Sequence, residues 1–263
     1  YKWLGSRKGS VIFLNEDDSV LRAKAAGQPC HCFGYGLEYQ GASILPSSAE
    51  EPFLRLMLDG TVISTRLIGA YNAANVLAAI AVGDYFGVPR EESIAAVESF
   101  VPDNERSEMR RTQKNALIVD AYNANPTSMA AALDNFERML RGGEGRPGLA
   151  LLGEMRELGA DSLREHAGLL RRLLPSGDIP CVMLVGQEFL KALDECGLEY
   201  EVVDEEGKVA AKNSRSREES SPFVWAPTSE ALLKYLQAHN VEGRLVLIKG
   251  SRSTQMEKVI PAL

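Results

Sequence analysis

The amino-acid sequence predicts an α/β protein whose second half contains a mainly parallel sheet with helices on both faces. After residue 105, short apolar runs rich in Val, Ile and Leu alternate with amphipathic helical patterns, and this alternation is typical of such a sheet. Before it, a strand hairpin precedes an Ala-rich helix, and a turn-rich break spans residues 101–105. A chain of 263 residues suggests one or two domains, so we expect two, comprising residues 1–104 and 105–263.

The first part is predicted to combine short strands with three helices. Its strands are expected at residues 11–14, 30–33, 53–58 and 61–67. Asp59-Gly60 separates the last two strands and is a strong hairpin signal, because both residue types tolerate a positive φ. The acidic run at residues 15–18 is expected to start a helix, since negative charge in a first turn complements the helix dipole. Later helices are expected at residues 72–86 and 90–100, the first ending at Gly87.

The second part is predicted to open with a hairpin that turns at Lys114-Asn115 and then to alternate strands and helices. Its strands are expected at residues 117–119, 149–152, 182–185, 199–203, 223–225 and 245–248. Residues 204–221 are charged and rich in Ser, and we expect them to form an exposed loop.

Two helix starts in the second part can be predicted from capping residues. Thr127 or Ser128 is expected to cap the helix that follows Pro126, and Ser162 with Glu165 matches a capping box.

Composition excludes several classes of protein. A net charge of −7 argues against a nucleic-acid partner. The longest apolar runs are far shorter than a bilayer span, and no secretory signal opens the sequence, so we expect a cytoplasmic protein that does not insert into a membrane. Cys30 and Cys32 flank a His, but no partner at ligand spacing is found, so reduced structural cysteines are expected.

The most informative stretch is residues 117–129, which reads as a strand, a polar loop and a capped helix. Ligands of open α/β sheets bind at the carboxyl ends of strands. Asp120, Asn123 and Asn125 follow the strand and are placed for a ligand. An ordinary turn built from Asn and Asp remains the alternative.

Two other stretches suit ligand binding. Asn72 and Asn75 open the Ala-rich helix on one face, and their amides suit an adenine edge; the alternative is that Asn72 only caps the helix. Residues 249–252 follow an apolar strand, and their two cations, Ser251 and backbone N–H groups predict an anion site for a carboxylate or a phosphate. Gly250 is expected to let the backbone approach that ligand closely.

The loop that follows residues 149–152 and the helix after it contain further ionisable side chains. Glu154 and Glu157 lie at a predicted carboxyl end, and His166 lies inside the following helix, where a structural role is expected.

The pattern Asp-x-Tyr-Asn-Ala-Asn-Pro-x-Ser-Met, which begins at Asp120, resembles the signature of the MurF family of Mur ligases. These ligases add D-alanyl-D-alanine to the peptidoglycan precursor. Residues 69–75, 152–159 with His166, and 249–252 match further family motifs in order and spacing. The resemblance implies that residues 1–104 are part of a Mur ligase central ATP-binding domain and that residues 105–263 are the Rossmann-like C-terminal domain.

The resemblance also implies roles for individual residues. Tyr71 stands where the family motif has His, and its ring can still stack on adenine beside the two amides. Asp120 is expected at the ribose, and Arg106 at the nucleotide, although Arg110 and Arg111 are rivals. The implied ATP-binding residues are Tyr71, Asn72, Asn75, Arg106 and Asp120. The implied substrate-binding residues are Tyr122, Asn123, Asn125, Lys249, Ser251 and Arg252.

The implied reaction is ATP-dependent amide formation through an acyl phosphate, with ATP, UDP-N-acetylmuramoyl-tripeptide and D-alanyl-D-alanine as partners. No phosphate-loop motif occurs in this sequence. The family carries that loop, its Mg²⁺ ligands and a modified lysine upstream, so we assign no catalytic or metal-binding residue here and expect the chain alone to be inactive.

Two alternatives remain. One is a related ligase for another amine, such as the diaminopimelate- or lysine-adding Mur ligases or folylpolyglutamate synthase, whose loops lack the Tyr-Asn-Ala-Asn-Pro pattern. The other is a non-catalytic Mur-like nucleotide-binding module, and a phosphate loop upstream would decide against it.

Overall fold

The computed structural model describes residues 1–47, 51–102, 108–142, 145–174, 177–213 and 222–263. The chain divides into two compact units, with residues 1–47 and 51–101 in the first and residues 102–263 in the second. Arg106 lies outside the described residues, so the structure says nothing of its predicted contact with the nucleotide.

The first unit contains two small sheets and two longer helices. Its elements are α1 (Lys2–Gly5), β1 (Val11–Asn15), α2 (Ser19–Ala25), β2 (His31–Tyr35), β3 (Ser43–Ile44), β4 (Phe53–Leu58), β5 (Thr61–Ile68), α3 (Ala73–Tyr85) and α4 (Arg90–Ser99). Strands β1 and β2 form a parallel pair, and β3, β4 and β5 form an antiparallel sheet. Helix α3 buries Val76, Leu77 and Ile80 against this second sheet.

In the first unit, the predicted hairpin at Asp59-Gly60 is confirmed, whereas the predicted acidic first turn of a helix is wrong. Asp59 and Gly60 have φ values of 50° and 77°, as a two-residue turn between β4 and β5 requires. The acidic run does not form a first turn. Asp18 accepts hydrogen bonds from the N–H groups of Val20 and Leu21 at 2.9 and 3.0 Å, so it caps α2 from outside the helix.

The second unit is built on one eight-stranded sheet. Its elements are β6 (Glu108–Arg111), β7 (Ala116–Asp120), α5 (Pro126–Gly142), β8 (Gly148–Gly153), α6 (Ser162–Leu173), β9 (Cys181–Val185), α7 (Gln187–Glu195), β10 (Tyr200–Val203), β11 (Val209–Asn213), β12 (Phe223–Ala226), α8 (Ser229–Ala238) and β13 (Leu245–Lys249). The strand order is β11-β10-β12-β9-β8-β13-β7-β6. The six central strands are parallel, and the two edge strands pair antiparallel. The predicted α/β class with a mainly parallel sheet is confirmed.

The prediction of a loop throughout residues 204–221 is wrong for part of that stretch. Strand β11 pairs antiparallel with β10 along the edge of the sheet. The charged and Ser-rich surroundings hid this short strand, because an edge strand needs little apolar pattern to pair. Residues 214–221 lie outside the described ranges.

Both predicted helix caps in the second unit are wrong. Asn125 caps α5, because its Oδ1 accepts the N–H of Ser128 at 2.8 Å while Pro126 is the first helical residue. Ser162 has helical backbone angles and follows a 3-10 turn, so it lies inside the helix rather than at its cap. Its hydroxyl instead donates to Glu188 Oε2 at 2.5 Å.

Strand β13 lies between β7 and β8, and this placement brings three loops to one edge of the sheet. Lys249 at the end of β13 is aligned with Asp120 of β7 and Leu152 of β8. The spacing of Met256, Val259, Ile260 and Leu263 in the sequence predicts a helix after β13, but this segment forms 3-10 turns. Its Met256, Val259 and Leu263 are buried, as their apolar pattern predicted.

Candidate functional site

A pocket of about 490 Å³ lies in the second unit, where the loops after β7, β8 and β13 meet. It is lined by Tyr122, Asn123, Arg156, Glu157, Ser251, Arg252 and Ser253. The sheet places this pocket at the carboxyl ends of its strands, where open α/β sheets bind ligands. Four of the residues predicted to bind substrate are therefore brought together.

Lys249 lies beneath this pocket rather than on its wall. Its side chain is 1% exposed, and its Nζ lies 2.6 Å from Asp120 Oδ2. The same ammonium donates to the backbone oxygen of Asn123 at 3.0 Å. The charge of Lys249 is buried against Asp120, and the contact ties β13 to the loop after β7. The structure therefore does not show Lys249 in the direct contact with an anionic substrate that the sequence predicted.

Asn125 and Gly250 also have structural roles, one as a helix cap and the other at a close contact of the backbone. The Oδ1 of Asn125 caps α5, and this residue does not line the pocket. A Cβ on Gly250 would lie 2.6 Å from both Met256 and Thr254 side-chain atoms and 3.1 Å from the Gly153 backbone. The glycine is therefore required for close packing of the chain, and the expected close approach of its backbone to a ligand stays a prediction.

The loop after β8 is tied to the loop after β13 by side-chain contacts. Arg156 Nη2 lies 2.7 Å from Glu154 Oε1, and Arg156 Nε donates to Ser253 Oγ at 3.2 Å. The Glu154 side chain is 5% exposed, and its Oε2 accepts the N–H of Glu188 at 2.9 Å. These bonds fix the backbone from which the pocket residues project.

His166 on α6 also stabilises the loop after β8, through a hydrogen bond to its backbone. Its Nε2 accepts the N–H of Met155 at 3.0 Å, and its Nδ1 donates to the backbone oxygen of Ser162 at 2.7 Å. The ring is fully buried and packs edge-on against Phe189, with centroids 4.8 Å apart. Burial lowers the pKa of this imidazole, against the opposing effect of its bond to Ser162 and of nearby carboxylates. The expected structural role of His166 agrees with these contacts.

We expect the free energy of unfolding of the second unit to decrease as the pH is lowered below about 6.5, the usual pKa of His. The unfolded chain protonates His166 there, while the folded chain resists because Nε2 must stay an acceptor, so the unfolded state binds more protons. Urea unfolding at pH 7.5 and 5.5 measures this loss. It should shrink in His166→Gln and persist in His239→Gln, whose exposed imidazole is the control. An identical loss in both variants would contradict the assignment.

Because hydrogen bonds from Lys191 and Ser162 lower the pKa of Glu188, its titration falls below this window.

Charges of both signs line the pocket. The Arg252 guanidinium lies 5.6 Å from the centre of the Tyr122 ring, within cation–π range. Among the described residues, Arg252 and Glu157 have no ion-pair partner, whereas Arg156 is paired with Glu154. Glu157 has a φ of 63°, a left-handed conformation that residues other than Gly adopt infrequently.

In the first unit, the predicted adenine residues surround the start of α3. Asn72 Nδ2 donates to the backbone oxygen of Ile68 at 2.8 Å, and Asn75 Nδ2 donates to Asn72 Oδ1 at 3.0 Å. Asn72 does occupy the N-cap position of α3, as the alternative expected, but its side chain makes no cap hydrogen bond. Tyr71 is 38% exposed. Asn75 also lines a largely apolar pocket of about 590 Å³ between α3 and α4.

Of the two rivals of Arg106, Arg110 bonds to Glu108 on the same strand, at 2.8 and 2.9 Å. Sequence reasoning placed Glu157 at a predicted carboxyl end without assigning it a role, and it did not single out Arg156 or Ser253 individually. The available signal was their position directly after a buried strand. What the sequence did not reveal was that β13 lies beside β8.

Some absences can be stated for the described part of the chain. No helix there has the length and apolar character that a bilayer span requires. Nor does that part contain three or more His, Cys, Asp or Glu side chains grouped to hold a metal ion. All four cysteines are free thiols.

Comparison with known proteins identifies relatives of the chain. Residues 105–252 match the family model described as Mur ligase, glutamate ligase domain. The UDP-N-acetylmuramoyl-tripeptide--D-alanyl-D-alanine ligase of Treponema pallidum is 32% identical over 80% of this chain and 40% of its own length. The Bacillus subtilis ligase of the same name is 24% identical over 97% of this chain and 51% of its own. The chain thus spans 40% of the length of the first relative and about half of the second.

Solved structures show the same fold. The crystal structure of MurF ligase from Thermotoga maritima in complex with ADP has a TM-score of 0.70 and 18% identity, over 98% of this chain and 53% of that one. The family match covers more than half of the sequence. The Treponema pallidum and Bacillus subtilis relatives are both named as D-alanyl-D-alanine-adding ligases, and the chain belongs to the Mur ligase family.

Proposed function

We propose that this chain is part of an ATP-dependent ligase that adds D-alanyl-D-alanine to UDP-N-acetylmuramoyl-tripeptide. The observation that supports it most is the pocket where the Tyr122–Asn123 loop meets Ser251 and Arg252. A dipeptide presents one amine to react and one carboxylate to hold, and a guanidinium is well suited to hold a carboxylate. The MurF-type relatives carry the activity that this proposal transfers to the longer protein.

The proposed reaction has two steps. The carboxylate of the tripeptide attacks the γ-phosphorus of ATP, which forms an acyl phosphate and releases ADP. The dipeptide amine then attacks the acyl carbon, a C–N bond forms, the C–O bond to phosphate breaks, and the amine gives up a proton. Residues of this chain bind and orient the dipeptide. The described residues offer no Mg²⁺ site, so we assign no step here to the metal.

For the first unit we propose contacts with ATP. Tyr71 would stack on the adenine, and Asn75 would present its amide oxygen to the purine edge, with Asn72 holding Asn75 in place. Arg106 remains a proposed nucleotide contact. For Asp120 we retain a proposed contact with the ribose in addition to its bond to Lys249. A ligase that uses these nucleotide substrates would work in the cytoplasm, as the sequence predicts.

The test is amine-dependent phosphate release by the ligase that contains this chain with its upstream half. With ATP, Mg²⁺ and the UDP-linked tripeptide, D-alanyl-D-alanine should support release, whereas L-lysine, diaminopimelate and L-glutamate should not. The 263-residue chain alone should release no phosphate above background. Turnover with one of the other amines would favour a related ligase. Turnover by the chain alone that Asp120→Ala abolishes would overturn the proposal that the reaction needs the upstream half.

A further inference from the structure

We propose that Glu157 binds the ammonium group of the incoming dipeptide, so that the pocket recognises a zwitterion by both of its charges. The inference rests on the proposed function and adds to it a residue that determines specificity at the amine end. The pocket is large enough for a small peptide, at about 490 Å³.

The charge balance of the pocket supports this assignment. Three charged side chains line it, namely Arg156, Glu157 and Arg252. Arg156 is neutralised by Glu154, which is buried, through an ion pair of 2.7 Å. In the described part of the structure, Glu157 and Arg252 make no ion pair, which leaves one negative and one positive charge for a ligand. A zwitterionic dipeptide carries the complementary pair, an ammonium and a carboxylate.

The backbone around Glu157 is held in place by contacts of its neighbours. His166 accepts the N–H of Met155 at 3.0 Å, and Glu154 accepts the N–H of Glu188 at 2.9 Å. Arg156 adds a bond to Ser253 on the opposite loop. The three residues before Glu157 are thus fixed, while its own carboxylate is exposed at the pocket. Such a carboxylate loses little conformational freedom in its backbone when it binds an ammonium.

The alternative is that Glu157 is an ordinary surface carboxylate. A side chain without a charge could occupy the same place in the pocket wall with the same positive φ. The two explanations of Glu157, as an ammonium contact or as a surface carboxylate, therefore differ in how its charge affects a ligand. A surface charge would affect all ligands weakly and in similar measure, because salt screens it. A carboxylate that contacts the ammonium would affect only those ligands that have one.

The experiment compares two ligands that differ in the amine. Steady-state kinetics of the complete ligase give the KM for D-alanyl-D-alanine, and inhibition by N-acetyl-D-alanyl-D-alanine, which keeps the carboxylate but lacks the ammonium, gives a Ki. We expect Glu157→Gln to raise the KM about 10-fold, as the loss of one charge-assisted hydrogen bond implies, and to leave the Ki unchanged. Glu195→Gln, at an exposed position on α7, is the matched control and should change neither value.

The outcomes separate this inference from the proposed function. If the parent uses D-alanyl-D-alanine but Glu157→Gln has the parental KM, the ammonium assignment is wrong and the function stands. Equal losses in KM and Ki would assign Glu157 to general loop structure and would also overturn the inference. If the parent does not use the dipeptide at all, both the function and the inference are overturned.

Discussion

Replacing Asp120 by Asn is expected to lower the free energy of unfolding of the second unit by about 3 kcal/mol, the lower end of the range for breaking a buried ion pair. Lys249 is 1% exposed, and without the carboxylate its ammonium would be buried with no opposing charge beside it, although the introduced amide oxygen and the backbone oxygen of Asn123 could still accept hydrogen bonds. The lower end applies because the Asp120 side chain itself keeps 14% exposure. Urea denaturation of the parent and the variant measures the difference.

Asp178→Asn is the matched control, because it removes a carboxylate oxygen at nearly the same distance from a cation. Arg141 Nε lies 2.7 Å from Asp178 Oδ2, but these side chains are 62% and 32% exposed. An exposed pair contributes up to about 1 kcal/mol. Losses of similar size in the two variants would show that burial of Lys249 does not set the strength of the Asp120 contact.

Replacing Arg252 by Ala in the complete ligase is expected to raise the KM for D-alanyl-D-alanine roughly 10- to 100-fold. The reason is the loss of a charge-assisted hydrogen bond to the dipeptide carboxylate, about 1.5–3 kcal/mol. The KM for ATP should change little, because the proposed adenine contacts lie at the start of α3. Steady-state kinetics with each substrate varied in turn measure both constants.

Arg171→Ala provides the comparison, since Arg171 is an exposed cation on α6 outside the pocket. It should leave both KM values at the parental level. A loss of ATP affinity in Arg252→Ala that matches the loss for the dipeptide would make residues 249–252 a phosphate site. Unchanged kinetics with lower stability would reduce Arg252 to a structural residue of the 3-10 turn.

The sequence predicted the class of the fold and the edge of the sheet where the pocket lies, because both depend on local patterns. Buried strands that end in polar loops are visible along the chain, as at Asp120. The roles of Lys249 and Gly250 were not visible in the same way. They depend on which strands are neighbours, and the pairing of β13 with β7 and β8 is set by contacts between distant residues.

The caps show a second limit of sequence reasoning. Around Pro126, Asn125, Thr127 and Ser128 are all suitable capping residues. The choice of Asn125 follows from Pro126 taking the first helical position. Asn125 therefore has a structural role at the start of the helix that the sequence did not reveal, while its predicted contact with the substrate stays a prediction.

The central position of β13 also constrains how the second unit reaches its native state. The ends of β7 and β13 are 129 residues apart in sequence, yet their side chains are in direct contact. Contacts between such distant residues require a large loop to close and are associated with slow folding. During synthesis β7 and β8 emerge first and must wait for residues 245–249 before the sheet can be completed. Until then their apolar edges are open, and the nascent chain is most exposed to aggregation in that interval.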